Sequence, residues 1–198
     1  DQPLTIRGLT LPNRVFLAPV DGVFDICART IFRRFGPGLT HGEVTNARAL
    51  LHGGAKVWRS IRRGPEESPY SIQLADHEPE PLARVAGRIQ DEGLAEIVDL
   101  NMGCPSRNTT GSGNGAALMR EPALVKTIVK ALRQVLEIPL TVKIRSGWDE
   151  GSINAVEIAR ICEGEGADWV TVHGRTRKQM YTGKADWEII ARVKRAVT

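Results

Sequence analysis

The sequence predicts an α/β protein whose parallel strands form a (β/α)8 barrel of the TIM type, and three observations carry that prediction. Short apolar runs alternate with longer segments of helical periodicity along the whole chain. The connections between successive runs are long enough to hold a helix, as parallel neighbours require. The runs end in long polar side chains, and barrels place functional groups at the C-terminal ends of many strands. A doubly wound open sheet is the competing architecture, and the polar strand ends favour the barrel.

Six segments are predicted to be strands because they are short, apolar and bounded by turn residues. They cover residues 15–18, 39–44, 70–74, 97–101, 140–144 and 169–173. At or beside their C-terminal ends lie Pro19, Glu43, Gln73, Asn101, Lys143 and His173. In a barrel these residues would meet at one face.

Three helices are predicted from apolar residues spaced by three and four positions. They span residues 81–92, 122–136 and 152–165. Pro122 suits a first helical position, and Ser152 is the predicted N-cap of the third helix. Residues 4–10 resemble a hairpin, which we expect to close the N-terminal mouth of the barrel.

The number of βα units is smaller than a barrel requires. Six units occupy a chain of 198 residues, whereas a complete barrel needs about 250. We therefore interpret residues 1–198 as one barrel domain that lacks its last units, that is, as a truncated chain.

Composition narrows the class of protein further. The net charge of +4 and the pI near 9.2 are compatible with a nucleic-acid partner, although 23 acidic residues among 27 basic ones favour an ordinary solvated surface. The three cysteines are widely spaced, form no metal-binding motif and suit a reducing compartment. Neither a signal peptide nor a bilayer-spanning run is evident. We expect a cytoplasmic monomer that binds no metal and contacts no membrane.

The stretch from Val98 to Pro105 is the most informative part of the chain. An apolar strand ends in the amide of Asn101, then Gly103 allows the backbone to bend, and the thiol of Cys104 follows. A thiol at the C-terminal end of a barrel strand is placed to take part in chemistry. The alternative is a structural cysteine, because free cysteines are among the most buried residues.

Polar residues on the neighbouring strands favour the chemical interpretation. Alternation along its strand points Lys143 inward, where an ammonium needs an anion or a polarised oxygen; an outward lysine is the alternative. His173 can donate to a ligand or act as an acid, unless it is a satisfied core histidine. Gln73 can contact the edge of a heterocycle, and residues 19–22 could line a flat ring with their backbone.

Two further patterns are weaker. Residues 111–116 match a dinucleotide fingerprint, but no strand precedes them, so we reject a Rossmann site and expect a loop. Basic side chains on loops at the same face could attract phosphates, although each is by itself compatible with a solvated surface charge. They are Arg107, Arg145, Arg175, Arg177 and Lys178.

Taken together, these motifs resemble the flavin-dependent tRNA-dihydrouridine synthase family. The matching segments occur in family order and span most of the chain. They are residues 17–23, 71–74, 98–105, 111–118, 142–148 and 172–176. The Asn-x-Gly-Cys-Pro turn, combined with Lys-Ile-Arg and His-Gly-Arg-Thr, makes the resemblance specific.

The resemblance implies an FMN-binding barrel that reduces uridines in tRNA, with NADPH as the reductant. A hydride would reach C6 of uracil while Cys104 protonates C5 as the general acid, so its sulfur must begin as a protonated thiol. The target uridine must lie outside its stack, which single-stranded tRNA loops permit. The resemblance also implies a helical tRNA-binding domain that this chain lacks.

Site residues carried over by motif fall into two groups. Predicted cofactor contacts are Pro19, Val20, Asp21, Gln73, Lys143 and His173. Predicted substrate contacts are Asn101, Arg145 and Arg175. The chain has Val20 and Asp21 where family members commonly have Met and Ala, so a carboxylate is added beside the expected ring.

Three other functions are compatible with parts of the pattern. An FMN-dependent barrel could reduce a small molecule and would need no basic rim. An inactive truncated paralogue could only bind RNA, and would carry no flavin. A non-redox barrel that handles phosphates would be colourless.

Overall fold

The computed structural model describes residues 2–198, and its central element is a parallel sheet. The strands are β1 (Leu4–Ile6), β2 (Leu9–Leu11), β3 (Phe16–Leu17), β4 (Leu39–His41), β5 (Thr45–Asn46), β6 (Tyr70–Ala75), β7 (Ile97–Met102), β8 (Leu140–Arg145) and β9 (Trp169–His173). The sheet order is β3-β4-β6-β7-β8-β9, with β5 also paired to β6. Every pairing in this sheet is parallel. Sequential parallel order of this kind is that of a barrel wall, so the predicted architecture is confirmed.

The longer helices cover the outer face of the sheet, and one short helix, at residues 107–111, lies in the connection after β7. They are α1 (Ile26–Arg33), α2 (Ala47–His52), α3 (Ala55–Ser60), α4 (Pro79–Asp91), α5 (Arg107–Gly111), α6 (Pro122–Val135), α7 (Ala155–Gly164) and α8 (Trp187–Ala196). Two short 3-10 helices, Gly115–Arg120 and Glu150–Ser152, lie in the connections. The buried apolar stripes of α4, α6 and α7 pack against the strands and against each other, which forms the main core. No helix within residues 2–198 combines the length and apolar character needed to cross a bilayer.

Most predicted strands agree with the structure, but the segment 39–44 was wrong as one strand. Only residues 39–41 of the segment form a strand, β4; the strand ends before Gly42, and β5 begins at Thr45, beyond the predicted segment. A side chain at Gly42 would lie 2.3 Å from the hydroxyl of Tyr70, so glycine is needed for the close approach of these chains. The first predicted strand is also shorter, because only Phe16–Leu17 pairs with β4.

The predicted role of Ser152 as a helix cap was also wrong. Helix α7 begins at Ala155, and Asn154 occupies the N-cap position. The hydroxyl of Ser152 instead donates to the carboxylate of Asp149 over 2.7 Å. This pair closes the preceding 3-10 turn as a capping box, which the helical periodicity alone does not distinguish from a longer helix.

The N-terminal hairpin lies where the sequence predicted. Strands β1 and β2 pair in antiparallel fashion, and Ile6 and Leu11 are buried. They line an apolar space together with side chains from the N-terminal ends of other strands, including Leu39 and Ile97. The hairpin therefore closes the bottom of the curled sheet and leaves the C-terminal face for the site.

The sheet curls far enough for side chains of its first and last strands to come together. The rings of Phe16 on β3 and Trp169 on β9 are 5.6 Å apart between centroids. Residues of β9 are only partly buried, whereas β6 and β7 are buried throughout. Within residues 2–198 no strand pairs with the free edge of β9, so the wall is an incomplete barrel.

Candidate active site

A cavity of about 240 Å³ opens at the C-terminal ends of the strands. It brings together every predicted site residue except Arg175. The lining residues among the predicted ones are Pro19, Val20, Asp21, Gln73, Asn101, Cys104, Lys143, Arg145 and His173. Residues that are up to about three quarters of the chain length apart in sequence thus line one cavity.

Strand register explains this convergence. Asn101 on β7 is paired with Lys143 on β8, and Arg145 on β8 is paired with His173 on β9. Side chains two positions apart on a strand point to the same face, so Lys143 and Arg145 both face inward. Parallel pairing repeats this arrangement from strand to strand and lines up their polar ends.

Lys143 is a half-buried cation. Its pKa is lowered, mainly because burial penalises the charged form; Asp99 partly offsets this effect and Arg145 adds to it. Among residues 2–198, no side chain forms an ion pair with the ammonium within 4 Å. An inward ammonium without a partner is suited to an anionic or strongly polar group in the cavity.

His173 is held as a neutral imidazole. Burial lowers its pKa to about 4, and the nearby charges of Arg145, Lys143 and Arg175 act in the same direction. Arg175 Nη1 lies 3.2 Å from His173 Nε2 and can only donate, so Nε2 accepts and Nδ1 carries the proton. His173 can therefore donate one hydrogen bond from Nδ1 at neutral pH without adding a charge.

Arg175 lies outside the cavity lining. Its Nε and Nη2 donate to the backbone carbonyls of Thr182 and Gly183, over 3.1 and 3.0 Å. These bonds shape the loop after β9, and the third nitrogen orients His173. The direct contact with substrate that the motif predicts for Arg175 stays a prediction.

Cys104 lies on the turn that follows β7. Its backbone N–H donates to Asn101 Oδ1 over 2.9 Å, and its Sγ lies 3.4 Å from the hydroxyl of Thr109. Gly115 packs directly against it: a side chain there would lie 2.8 Å from the Cys104 carbonyl oxygen. The thiol is half-buried at the cavity edge. Contacts with Asn101, Thr109 and Gly115 hold its turn in place.

Arg145 joins two loops of the site. It is 1% exposed, and its Nε donates to the Gly103 carbonyl over 2.8 Å. Its Nη1 donates to the carbonyls of Thr176 and Met180. Two of its three nitrogens are thus occupied by the Cys104 turn and by the loop after β9. Only Nη2 has no backbone acceptor, which narrows the contacts that Arg145 can offer a substrate.

Sequence reasoning did not predict several lining residues. Val44, Ser106 and Met180 line the cavity from loops, and no period or motif marks their positions. Tyr181, shortly after the His-Gly-Arg-Thr segment, is different, because the sequence does offer it as a ring able to stack on bases. It lines the cavity, with its ring centroid 5.5 Å from the Arg145 guanidinium and 6.1 Å from the His173 ring.

The fold and the cavity together define a protein of the (β/α)-barrel enzyme class, because functional side chains from several strands meet at the C-terminal face. Solved structures share the fold at low identity. Morphinone reductase is 14% identical with a TM-score of 0.65, over 98% of this chain and 76% of that chain. A 2-naphthoyl-CoA reductase complex is 14% identical with a TM-score of 0.69, over 98% of this chain and 44% of that chain.

The family follows from sequence. The dihydrouridine synthase (Dus) model matches residues 16–198, and the chain belongs to this family. A probable tRNA-dihydrouridine synthase 1 from Synechocystis is 41% identical over 198 residues, which cover all of this chain and 55% of that protein. The tRNA-dihydrouridine synthase B of Pseudomonas aeruginosa is 40% identical over 193 residues, or 98% and 58%. The chain thus spans somewhat more than half the length of these relatives.

Proposed function

We propose that this chain is the catalytic barrel of an enzyme that reduces uridine in tRNA to dihydrouridine, with FMN as its resident cofactor and NADPH as the reductant. One observation carries the proposal. The thiol of Cys104 lines the same cavity as Lys143, Gln73 and His173. Family membership and the names of the relatives support the same reaction.

The residues present fit a flavin. The unpartnered ammonium of Lys143 suits the electron-rich N1/O2 side of the ring, and the neutral imidazole of His173 offers one further donor. Gln73 offers an amide for the pyrimidine edge, and residues 19–21 form one wall of the cavity. When bound there, FMN supplies the hydride that the reduction of uracil needs. We propose that the residues carried over by motif as cofactor contacts make these interactions.

Cys104 supplies the proton. Reduction of the C5–C6 double bond adds a hydride at C6 and a proton at C5, and the Sγ–H bond breaks as the C5–H bond forms. Asn101 holds the Cys104 turn through its Oδ1. Asn101 and Arg145 line the cavity beside the thiol and are proposed to bind the target base. General-acid catalysis of this kind contributes about 10²–10⁴-fold to the rate.

Basic side chains outside the cavity support a polyanionic substrate. The guanidinium groups of Arg120 and Arg177 stack on Trp148, at 4.9 and 4.8 Å from its ring centroid. Neither forms an ion pair with a carboxylate within residues 2–198. Guanidinium groups without a carboxylate partner suit phosphates of an RNA backbone, although Arg177 also donates to the hydroxyl of Thr110. We propose tRNA as the partner, a monomeric protein, and the cytoplasm as its compartment.

The test is the Cys104→Ala variant of the FMN-loaded protein. We expect it to bind FMN and to oxidise NADPH like the unmodified protein, while dihydrouridine formation in tRNA falls at least about a hundredfold. Cys27→Ala is the matched control, because Cys27 is exposed on α1 and does not line the cavity.

Three results would contradict the proposal. If Cys104→Ala reduced tRNA at an undiminished rate, Cys104 would not be the general acid. Reduction of free uridine as fast as that of tRNA would favour the small-molecule reductase, and a colourless protein that retains no flavin would favour a non-redox barrel or an RNA-binding paralogue.

A further inference from the structure

A chain of hydrogen bonds runs beneath the cavity from β8 to the Cys104 turn, and its origin is a buried carboxylate. We propose that Asp99 is a positioning residue. Together with the backbone N–H groups of Gly103 and Cys104 at the other end of this chain of hydrogen bonds, it fixes the direction of the side-chain amides of Gln73 and Asn101, and so decides where Gln73 keeps a donor and where it keeps an acceptor for a ligand. We call Asp99, Gln73 and Asn101 the amide chain. The effect of the amide chain on FMN binding rests on the function proposed above.

The first link is the carboxylate itself. Asp99 is 1% exposed, and its Oδ2 accepts a hydrogen bond from Gln73 Nε2 over 2.6 Å. Its other oxygen accepts from the hydroxyl of Thr141. An ionised carboxylate can only accept, so Gln73 has to turn its nitrogen, not its oxygen, toward Asp99.

The second link passes this choice on. With its nitrogen at Asp99, Gln73 turns Oε1 to Asn101 and accepts from Nδ2 over 2.7 Å. Asn101 must then turn Oδ1 the other way, where it accepts from the N–H groups of Gly103 and Cys104, over 3.2 and 2.9 Å. An amide has a donor end and an acceptor end, so one fixed end determines the next.

A simpler role for Asp99 would be as counter-ion to Lys143, the half-buried cation of the site. Lys143 and His41 both sense its charge, but within residues 2–198 neither forms an ion pair with it inside 4 Å. The bonds that Asp99 does make lead to Gln73 and Thr141. Direction of the amides is therefore what its geometry supplies.

The direction of the hydrogen bonds that Gln73 makes can be reversed by exchanging Asp99 and Asn101, the residues on either side of it. In N101D, Gln73 lies between two carboxylates and can satisfy only one with its nitrogen. We expect Tm to fall by about 5–10 °C for the lost bond to a charged group. In the exchanged variant D99N/N101D, Gln73 turns around, its nitrogen bonds the new carboxylate, and its oxygen accepts from Asn at 99. Tm should return to within about 3 °C of the unmodified protein.

The exchange keeps the composition and the net charge, but it turns the Gln73 amide around. One N–H of Nε2 and one lone pair of Oε1 are not used within the amide chain, and these two positions change places in the exchanged variant. We therefore expect D99N/N101D to bind FMN at least about tenfold more weakly while its stability recovers. D99N alone is the matched control. Its Asn can keep the oxygen toward Gln73 and turn the nitrogen to Thr141, so its Tm should fall less than that of N101D.

Three results would overturn the proposal. The first is additive losses of Tm in D99N, N101D and the double variant, because independent sites do not rescue each other. The second is a double variant that does not fold. The third is a double variant that recovers both stability and FMN affinity, which would make the direction of Gln73 irrelevant to the cavity.

The two proposals fail separately. Rescue of Tm needs no cofactor, so it would stand even if the unmodified protein bound no flavin, and only the proposed function would then fall. If the unmodified protein binds FMN and reduces tRNA but N101D is not rescued, the positioning role of Asp99 falls and the function stands.

Discussion

Replacing Lys143 by methionine should change two measured quantities in opposite directions. Methionine keeps most of the length and apolar contacts of the side chain and removes the charge. Lys143 projects from β8 into the cavity, and burial lowers its pKa. Burial of this charge destabilises the flavin-free protein, whereas the same charge stabilises a bound anionic or polar ligand. We therefore expect Lys143→Met to stabilise the flavin-free protein and to weaken flavin binding.

The loss of affinity can be sized from the bond that is removed. A hydrogen bond from a charged donor contributes about 1.5–3 kcal/mol. Because about 1.4 kcal/mol corresponds to a tenfold change, the Kd for FMN should rise about tenfold to a hundredfold. Arg145 cannot replace the ammonium, since two of its nitrogens are bonded to backbone carbonyls.

The pH dependence of stability gives the second measurement. The pKa of Lys143 in the folded protein lies below its ordinary value of 10.5. Between these two pKa values the unfolded chain binds more protons than the folded one, so the free energy of unfolding rises with pH through this window. In Lys143→Met this rise should be reduced, and the variant should be the more stable protein below the window.

Flavin fluorescence titration measures the Kd, and urea unfolding of the flavin-free protein measures stability. Lys178→Met is the matched control: its side chain is 62% exposed, pairs with Asp149 and does not line the cavity. It should leave both quantities nearly unchanged. Full FMN affinity in Lys143→Met, or a loss of apoprotein stability, would refute the reasoning.

Two further predictions concern the frame of the site. Glu67→Gln leaves the charge of Arg29 uncompensated, in a pair whose side chains are only 1% and 2% exposed, so the free energy of urea unfolding should fall by about 3–5 kcal/mol. The control is Glu80→Gln at an exposed ion pair, which should change that free energy by less than about 0.5 kcal/mol. Equal effects of the two substitutions would contradict this account. Gly115→Ala places a methyl group against Cys104 at a residue whose φ is +61, so the free energy of unfolding should fall by about 1–3 kcal/mol and the alkylation rate of the Cys104 thiol should change. Unaltered stability and an unaltered alkylation rate would show that the turn accommodates the methyl group.

The alternating strands were the most predictable part of the molecule. Residues 169–173 form a strand with the predicted bounds, and 97–101 and 140–144 each extend by one residue. Their inward side chains could be assigned because the period of two and parallel register leave little freedom. This is why Lys143 and Asn101 were predicted to meet and do meet at one cavity.

Loops and side-chain partners were less predictable, because contacts distant in sequence decide them. The break at Gly42 depends on a tyrosine hydroxyl nearly thirty positions later. Arg145 was predicted as a substrate contact, and only the folded loops show that its Nε and Nη1 hold backbone carbonyls. Arg175 follows His173 closely in sequence, yet it is bonded to the loop that follows and to His173 itself, and it does not line the cavity.

The sequence by itself determined the order of strands and helices, the family, and the side chains that face the barrel interior, because these depend on local periodicity and on motifs that do not need a partner. The tertiary structure alone decided how the polar interior is bonded. Which end of the Gln73 amide faces Asp99, and which nitrogens of Arg145 are taken, follow from donors and acceptors that meet only after the sheet has curled.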